Sequence, residues 1–133
     1  MIDQIQSHYD NDYTAEGLSE WRGLGAIGKA ANIVALCNPF PHSTIVDIGC
    51  GDGAFLKELE ALNFGDSLYG LEISRSGLKA LHQKRVENLV DARKFDGYNI
   101  PYPDDHFDLA VLSYVVEHVE NPLQLIAEAA RVA

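Results

Sequence analysis

Apolar residues recur every three or four positions through 18–36, at Leu18, Trp21, Leu24, Ile27, Ala31 and Val34. This spacing predicts a helix with one apolar face. Asn38-Pro39 and Pro41 end it. The period then changes. Thr44-Ile45-Val46 is a β-branched run that closes on Asp47-Ile48-Gly49, as a buried strand entering a glycine turn does. Residues 54–62 return to helical spacing, with Phe55, Leu56, Leu59 and Leu62 on one side. A second strand is predicted over 68–73, and Ser74 stands where a cap would open a helix carrying Leu78 and Leu81. A weak third strand is expected around 93–95, and a stronger fourth, FDLAVLS, over 107–113. Asn121-Pro122 then offers a capping side chain and a first-turn proline to LQLIAEAARV. Strands alternating with helices predict an α/β fold, a parallel sheet with helices on both faces.

The chain has 133 residues, enough for one domain and too few for two of ordinary size. No repeat, low-complexity tract or linker divides it, so 1–133 reads as one domain with 1–38 as a helical lead-in. With 47% apolar residues a hydrophobic core is expected rather than disorder. Formal net charge is −10, from 20 acidic residues against 10 lysines and arginines. Such a surface repels phosphate backbones, so nucleic acid is not an expected partner, whereas a small cationic ligand suits it. No apolar run reaches the length that spans a bilayer, and the acidic start Met1-Ile2-Asp3-Gln4 does not resemble an export signal. Cys37 and Cys50 make no disulfide framework, so a cytoplasmic location is expected.

Chemistry concentrates in IVDIGCGDGAF, residues 45–55. A strand that breaks into glycines and restarts as a helix brings its backbone close to a ligand at the helix N-terminus. Gly49, Gly51 and Ala54 also satisfy the dinucleotide pattern GxGxxG/A. A dinucleotide would bring a dianionic pyrophosphate to Asp52, with Asp47 close by. A sulfonium or ammonium would instead be attracted by those acids. The acids favour a cationic ligand, and Gly51 is expected to be the residue least replaceable for binding. Cys50 reads as a small buried side chain, since nothing beside it in sequence would lower its pKa.

This stretch resembles motif I of the class I S-adenosylmethionine-dependent methyltransferases, of the type 11 kind, and the remainder of their pattern follows. Glu72 closes the second strand, with Ile73 after it, and the resemblance gives its carboxylate the two ribose hydroxyls. DGYNIPYPDDHFD, residues 96–108, is similar to the family's acid, apolar-Pro-aromatic step and Phe-Asp opening of strand four. In that family an acid after strand three approaches the adenine amine. Asp91 and Asp96 are the candidates, and the spacing to Ile100-Pro101-Tyr102 favours Asp96 with Gly97, leaving Asp91 as a surface acid in the preceding loop. FDLAVLSYVVEHVENP places Ser113 and Tyr114 beside the methionine part of the cofactor. His118 is the candidate base beside a plain packing role, because methyl transfer often needs only alignment.

The resemblance further implies S-adenosyl-L-methionine as cofactor, S-adenosyl-L-homocysteine as product, and a lid formed by the lead-in. Tyr9, Tyr13, Trp21, Arg22 and Lys29 are the lid's notable side chains. Arg22 is either a partner for the methionine carboxylate or an ordinary solvated charge. No catalytic residue is otherwise legible, and His8, His42, His82 and His106 lack metal-ligand spacing. The family fold has seven strands and four are read here, so the chain looks truncated after strand four, which becomes a sheet edge. A homodimer, or another chain completing the sheet, is therefore expected, and the acceptor, small molecule or protein, is unreadable. A non-catalytic cofactor- or partner-binding module is the alternative, and a nicotinamide-dependent oxidoreductase the reading that the acidic turn disfavours.

Overall fold

In the computed structural model residues 18–133 are described. Tyr9, Tyr13 and His8 therefore lie outside the described residues. Helix α1 (Leu18–Cys37) leads into strand β1 (Thr44–Ile48), followed by α2 (Ala54–Ala61), β2 (Ser67–Glu72), α3 (Arg75–Lys84), β3 (Leu89–Lys94) and β4 (Leu109–Val111). A short 3₁₀ turn (Val116–His118) precedes the last helix, α4 (Pro122–Val132). The four strands form one sheet in the order β3-β2-β1-β4, and every pairing is parallel.

Alternation along the two central strands builds a core on each face. Ile45 and Leu68 join Ala26, Ala30, Phe55, Leu56, Leu59 and Leu81, so α1, α2 and α3 cover one side. Val46, Ile48 and Leu71 join Phe95, Ile100, Phe107, Leu125, Ala129 and Val132, so α4 covers the other. A central strand buried on both sides needs apolar residues at successive positions, and Ile45-Val46 supplies them, with Asp47 the buried acid beside them. The caps follow the sequence: Ser74 Oγ accepts from Gly77 N at the start of α3, and Asn121 accepts from Gln124 N at the start of α4, where Pro122 occupies the first turn.

Three expectations change. Helix α1 forms, but rotated. Trp21, Leu24 and Ile27 are 77%, 69% and 52% exposed, whereas Ala26 and Ala30 are buried and Ile33, Val34 and Cys37 pack beside them. Two alanines let the helix axis lie close to the glycine turn, and the same face brings Arg22 to Asp52. Apolar spacing measures a stripe's existence and not which stripe fits a crowded surface. The third strand begins at Leu89, earlier than 93–95, and puts Asp91 inside a strand rather than in a loop. Its charged residues, proper to an edge strand, hid it. The fourth strand pairs only over Leu109–Val111, because beyond it the chain turns at Tyr114, whose φ is +58°. It is a sheet edge, half-buried at Leu109 and Ala110 rather than enclosed on both faces.

Candidate functional site

Between β1 and α2 the chain makes a turn in which Gly49, Gly51 and Gly53 all have positive φ, +80°, +56° and +80°. Gly49 N and Cys50 N both donate to Leu71 O, at 2.7 and 2.8 Å, which locks the turn to the end of β2. The carboxyl ends of β1, β2 and β4 thus converge on one cavity of about 260 Å³.

The site candidates that the sequence favoured lie on its wall, with Asp91 the exception. The turn contributes Asp47, Gly49, Cys50 and Gly51; β2 and its exit contribute Glu72 and Ile73. Asp96 and Gly97 come from the loop after β3, Ser113, Tyr114 and His118 from the segment after β4, and Arg22 from α1. Asp91 does not line it: its carboxylate holds Arg93 and the Tyr102 hydroxyl on the outer strand. Sequence reasoning missed the wall residues Ala26, Phe95, Tyr98, Val115, Val119 and Glu120. Ala26 could have been found, since Arg22, Ala26 and Lys29 share a helical face.

The electrostatics are set by two buried acids, Asp47 and Glu72, each 3% exposed. Burial pushes Asp47 up to about 7, Glu72's charge adds to this, and Lys29 pulls the other way. Among the described residues none hydrogen-bonds to the Asp47 carboxylate. Glu72 is raised by burial, which its bonds from Ser74 and Gly51 partly offset. Its Oε1 accepts from Gly51 N at 3.3 Å, and its Oε2 from Ser74 N and Ser74 Oγ at 3.2 and 2.7 Å.

Asp52 behaves differently from the sequence-based expectation. It is buried, but Arg22 Nε and Lys84 Nζ lie 3.2 and 3.3 Å from its Oδ2, and its Oδ1 accepts from Ala54 N. This acid is neutralised by its own neighbours and ties α1 to the turn, which leaves Asp47 and Glu72 as the other buried acids on the cavity wall. Arg22 accordingly has Asp52 as a partner and is not an ordinary solvated charge.

Asp96 organises its loop. Burial raises its carboxyl, but N–H bonds from Asn99 and Tyr98 outweigh that and hold it below the ordinary value. Burial, with the charges of Asp47 and Glu72, pushes the Cys50 thiol up. It stays a packed thiol, its Sγ 2.8 Å from where a Cβ on Gly70 would be. Lys29 Nζ sits 4.3 Å from the Tyr114 ring centroid, and His118 Nε2 is 3.7 Å from a Glu117 carboxylate oxygen. No helix among the described residues is long and apolar enough to cross a membrane.

Two buried carboxylates thus lie beside a glycine turn at the carboxyl ends of parallel strands. A family model described as a methyltransferase domain matches residues 46–133. The chain is 31% identical to an uncharacterized protein of Methanocaldococcus jannaschii over 121 residues, covering 91% of this chain and 54% of that protein. Identity to the 2-phytyl-1,4-naphtoquinone methyltransferase of Synechococcus elongatus is 28% over 143 aligned positions, 99% of this chain and 57% of the relative. Among solved structures, magnesium protoporphyrin IX methyltransferase of Synechocystis with bound S-adenosylhomocysteine matches with a TM-score of 0.65 at 24% identity, over 84% of this chain and 51% of that one. The chain spans about half the length of the curated relatives it matches. From its own turn, sheet order and matched span, the chain belongs to the methyltransferase-domain family, on the class I fold of the S-adenosylmethionine-dependent enzymes.

Proposed function

We propose that this chain binds S-adenosylmethionine in the cavity above β1 and β2 and serves methyl transfer to an acceptor nucleophile. The observation that carries this reading is the buried pair Asp47 and Glu72 on the cavity wall, where Lys29 is the charge opposing burial at Asp47. A dianionic phosphate group would be repelled there, whereas an ammonium, a sulfonium and hydroxyl donors are complementary. The residues present therefore fit the cofactor.

Glu72 would accept the ribose hydroxyls, Asp96 with Gly97 would border the adenine, and Ile73 would pack beside it. Asp47 would face the cationic end, with Gly49 and Gly51 keeping the turn free of side chains and Ser113 bordering the methionine part. When bound, S-adenosylmethionine supplies an electrophilic methyl group on sulfur and is left as S-adenosylhomocysteine. The chain's own contribution is alignment, which alone can remove a large part of a bimolecular barrier. His118, on the cavity rim, is the side chain at which a proton leaving the acceptor would be taken up.

Titration calorimetry tests the reading. The chain is expected to bind S-adenosylhomocysteine and not NAD. Glu72→Ala should weaken that binding about a hundredfold or more, as expected for losing two bonds to a charged acceptor worth about 1.5–3 kcal/mol each. Equal affinity in a folded Glu72→Ala variant would refute the assignment. Binding without methyl transfer in any assay would favour the cofactor- or partner-binding module instead.

We also propose that β4 is a docking edge for a second copy. It is the last strand of the sheet, and α4 beside it exposes Leu123 and Ile126, 76% and 45% accessible. An apolar strand edge next to such a helix face invites pairing. Light scattering should show mass rising toward a dimer with concentration, and Leu123→Glu with Ile126→Glu should return it to the monomer. A monomer at every concentration would overturn this proposal.

A further inference from the structure

We infer that Ser74 and Gly77 are positioning residues, a seat that fixes the orientation of the Glu72 carboxylate. The inference rests on the proposed role of Glu72 and adds two residues that the role requires. Ser74 is fully buried. Its hydroxyl donates to Glu72 Oε2 at 2.7 Å and accepts from Gly77 N at 3.0 Å, while its own backbone N–H reaches the same carboxylate oxygen at 3.2 Å. On the other side Gly51 N holds Oε1. The carboxylate is thus gripped between the glycine turn and the first turn of α3, and the Ser74 side chain serves as helix cap and clamp at once.

Gly77 is the second observation. It lies inside α3, where alanine would ordinarily be the better helix former. Its backbone does not require glycine, since it is not among the positive-φ residues. What it provides is space. A Cβ at this position would stand 2.7 Å from Ser74 Oγ, 3.0 Å from Glu72 Cγ and 3.1 Å from Glu72 Oε2. All three atoms belong to the seat. The first is too close for a real contact, and both side chains are buried, so the clamp would have to move. The glycine weakens the helix locally and leaves the carboxylate where the cavity needs it.

The test is a pair of variants read by titration with S-adenosylhomocysteine, each made in the parent and in Glu72→Ala. Ser74→Gly removes the clamping hydroxyl and keeps a residue that N-caps tolerate. Gly77→Ala adds the Cβ. Each is expected to weaken binding about tenfold in the parent, the scale of one bond to a charged acceptor. Neither should weaken it further in Glu72→Ala, and each variant should still unfold in one cooperative transition. If Glu72→Ala itself binds normally, the reading of Glu72 falls and the seat with it. If Glu72→Ala is weak but both seat variants bind like the parent, the seat alone is overturned. Losses of equal size in both backgrounds would show the two residues acting through the fold, and would also overturn it. Should one variant fail to fold, the other carries the same comparison.

Discussion

Asp47→Asn is expected to make the folded chain more stable at pH 8 by up to about 4 kcal/mol, and to weaken binding of S-adenosylmethionine at the same pH. The carboxyl is raised from 3.8 to about 7, by burial first and by Glu72 second, against the opposing charge of Lys29. A shift of about three units corresponds to about 4 kcal/mol of differential interaction. The sign follows from proton binding. Between pH 3.8 and 7 the folded state holds a proton that the unfolded state has released, so stability falls as pH rises through that window. Above pH 7 both states are ionised and the full cost of a buried, unbonded carboxylate is borne. Asparagine removes that cost, less the cost of burying its amide. The stability difference between variant and parent should therefore be greatest above pH 7 and vanish toward pH 4 in urea titrations at several pH values.

Binding should move oppositely. A cationic ligand draws on the ionised carboxylate, so the parent's affinity should drop by up to about tenfold for each pH unit below 7, and the variant's should be low and flat. A stability difference that does not change with pH would remove Asp47 as the strained acid of this site.

The second large effect is expected at Gly53. Gly53→Ala should destabilise the chain by about 2–5 kcal/mol, combining about 1–2 for left-handed backbone with about 1–3 for overpacking. Its φ is +80°, and a Cβ there would lie 2.1 Å from Leu81 Cδ1. Leu81 is fully buried in the core with Phe55, Leu56 and Val86, so it cannot swing clear. Added to Leu81→Ala, the same substitution should cost only the backbone part. Gly51→Ala provides the contrast. At φ +56° it occupies the region that Asn63, Arg85 and Tyr114 also adopt, so its stability cost should stay near the backbone part alone. Denaturant midpoints of the four variants measure this, and an unchanged midpoint for Gly53→Ala would contradict the packing seen around Leu81.

The elements were legible where local chemistry decides them. The β-branched run of β1, the Ser74 and Asn121 caps and the glycine turn are written in neighbouring residues, because strand entry, capping and positive φ are satisfied within a few positions. Helix α1 shows the limit. Its period was visible, but the face that packs was not, since burying Ala26 and Ala30 rather than Trp21 and Leu24 depends on how closely the helix approaches the turn.

The site divides in the same way. Asp47, Glu72, Asp96 and Gly97, which the motif resemblance singled out, all line the cavity. That Asp52 is already spoken for by Arg22 and Lys84, 30 and 32 positions away (52 − 22 and 84 − 52), could not follow from any local pattern. Nor could the need for glycine at 53 and 77, which depends on Leu81 in one case and on Ser74 and Glu72 in the other. Sequence alone determined most of the segments that become strands, turns and helices, the bounds of β3 and β4 excepted, and which residue types meet at the strand ends. Tertiary structure decided which acids keep an unbalanced charge and which glycines are irreplaceable, because charge balance and steric room are set by atoms brought close only when the sheet and its helices assemble.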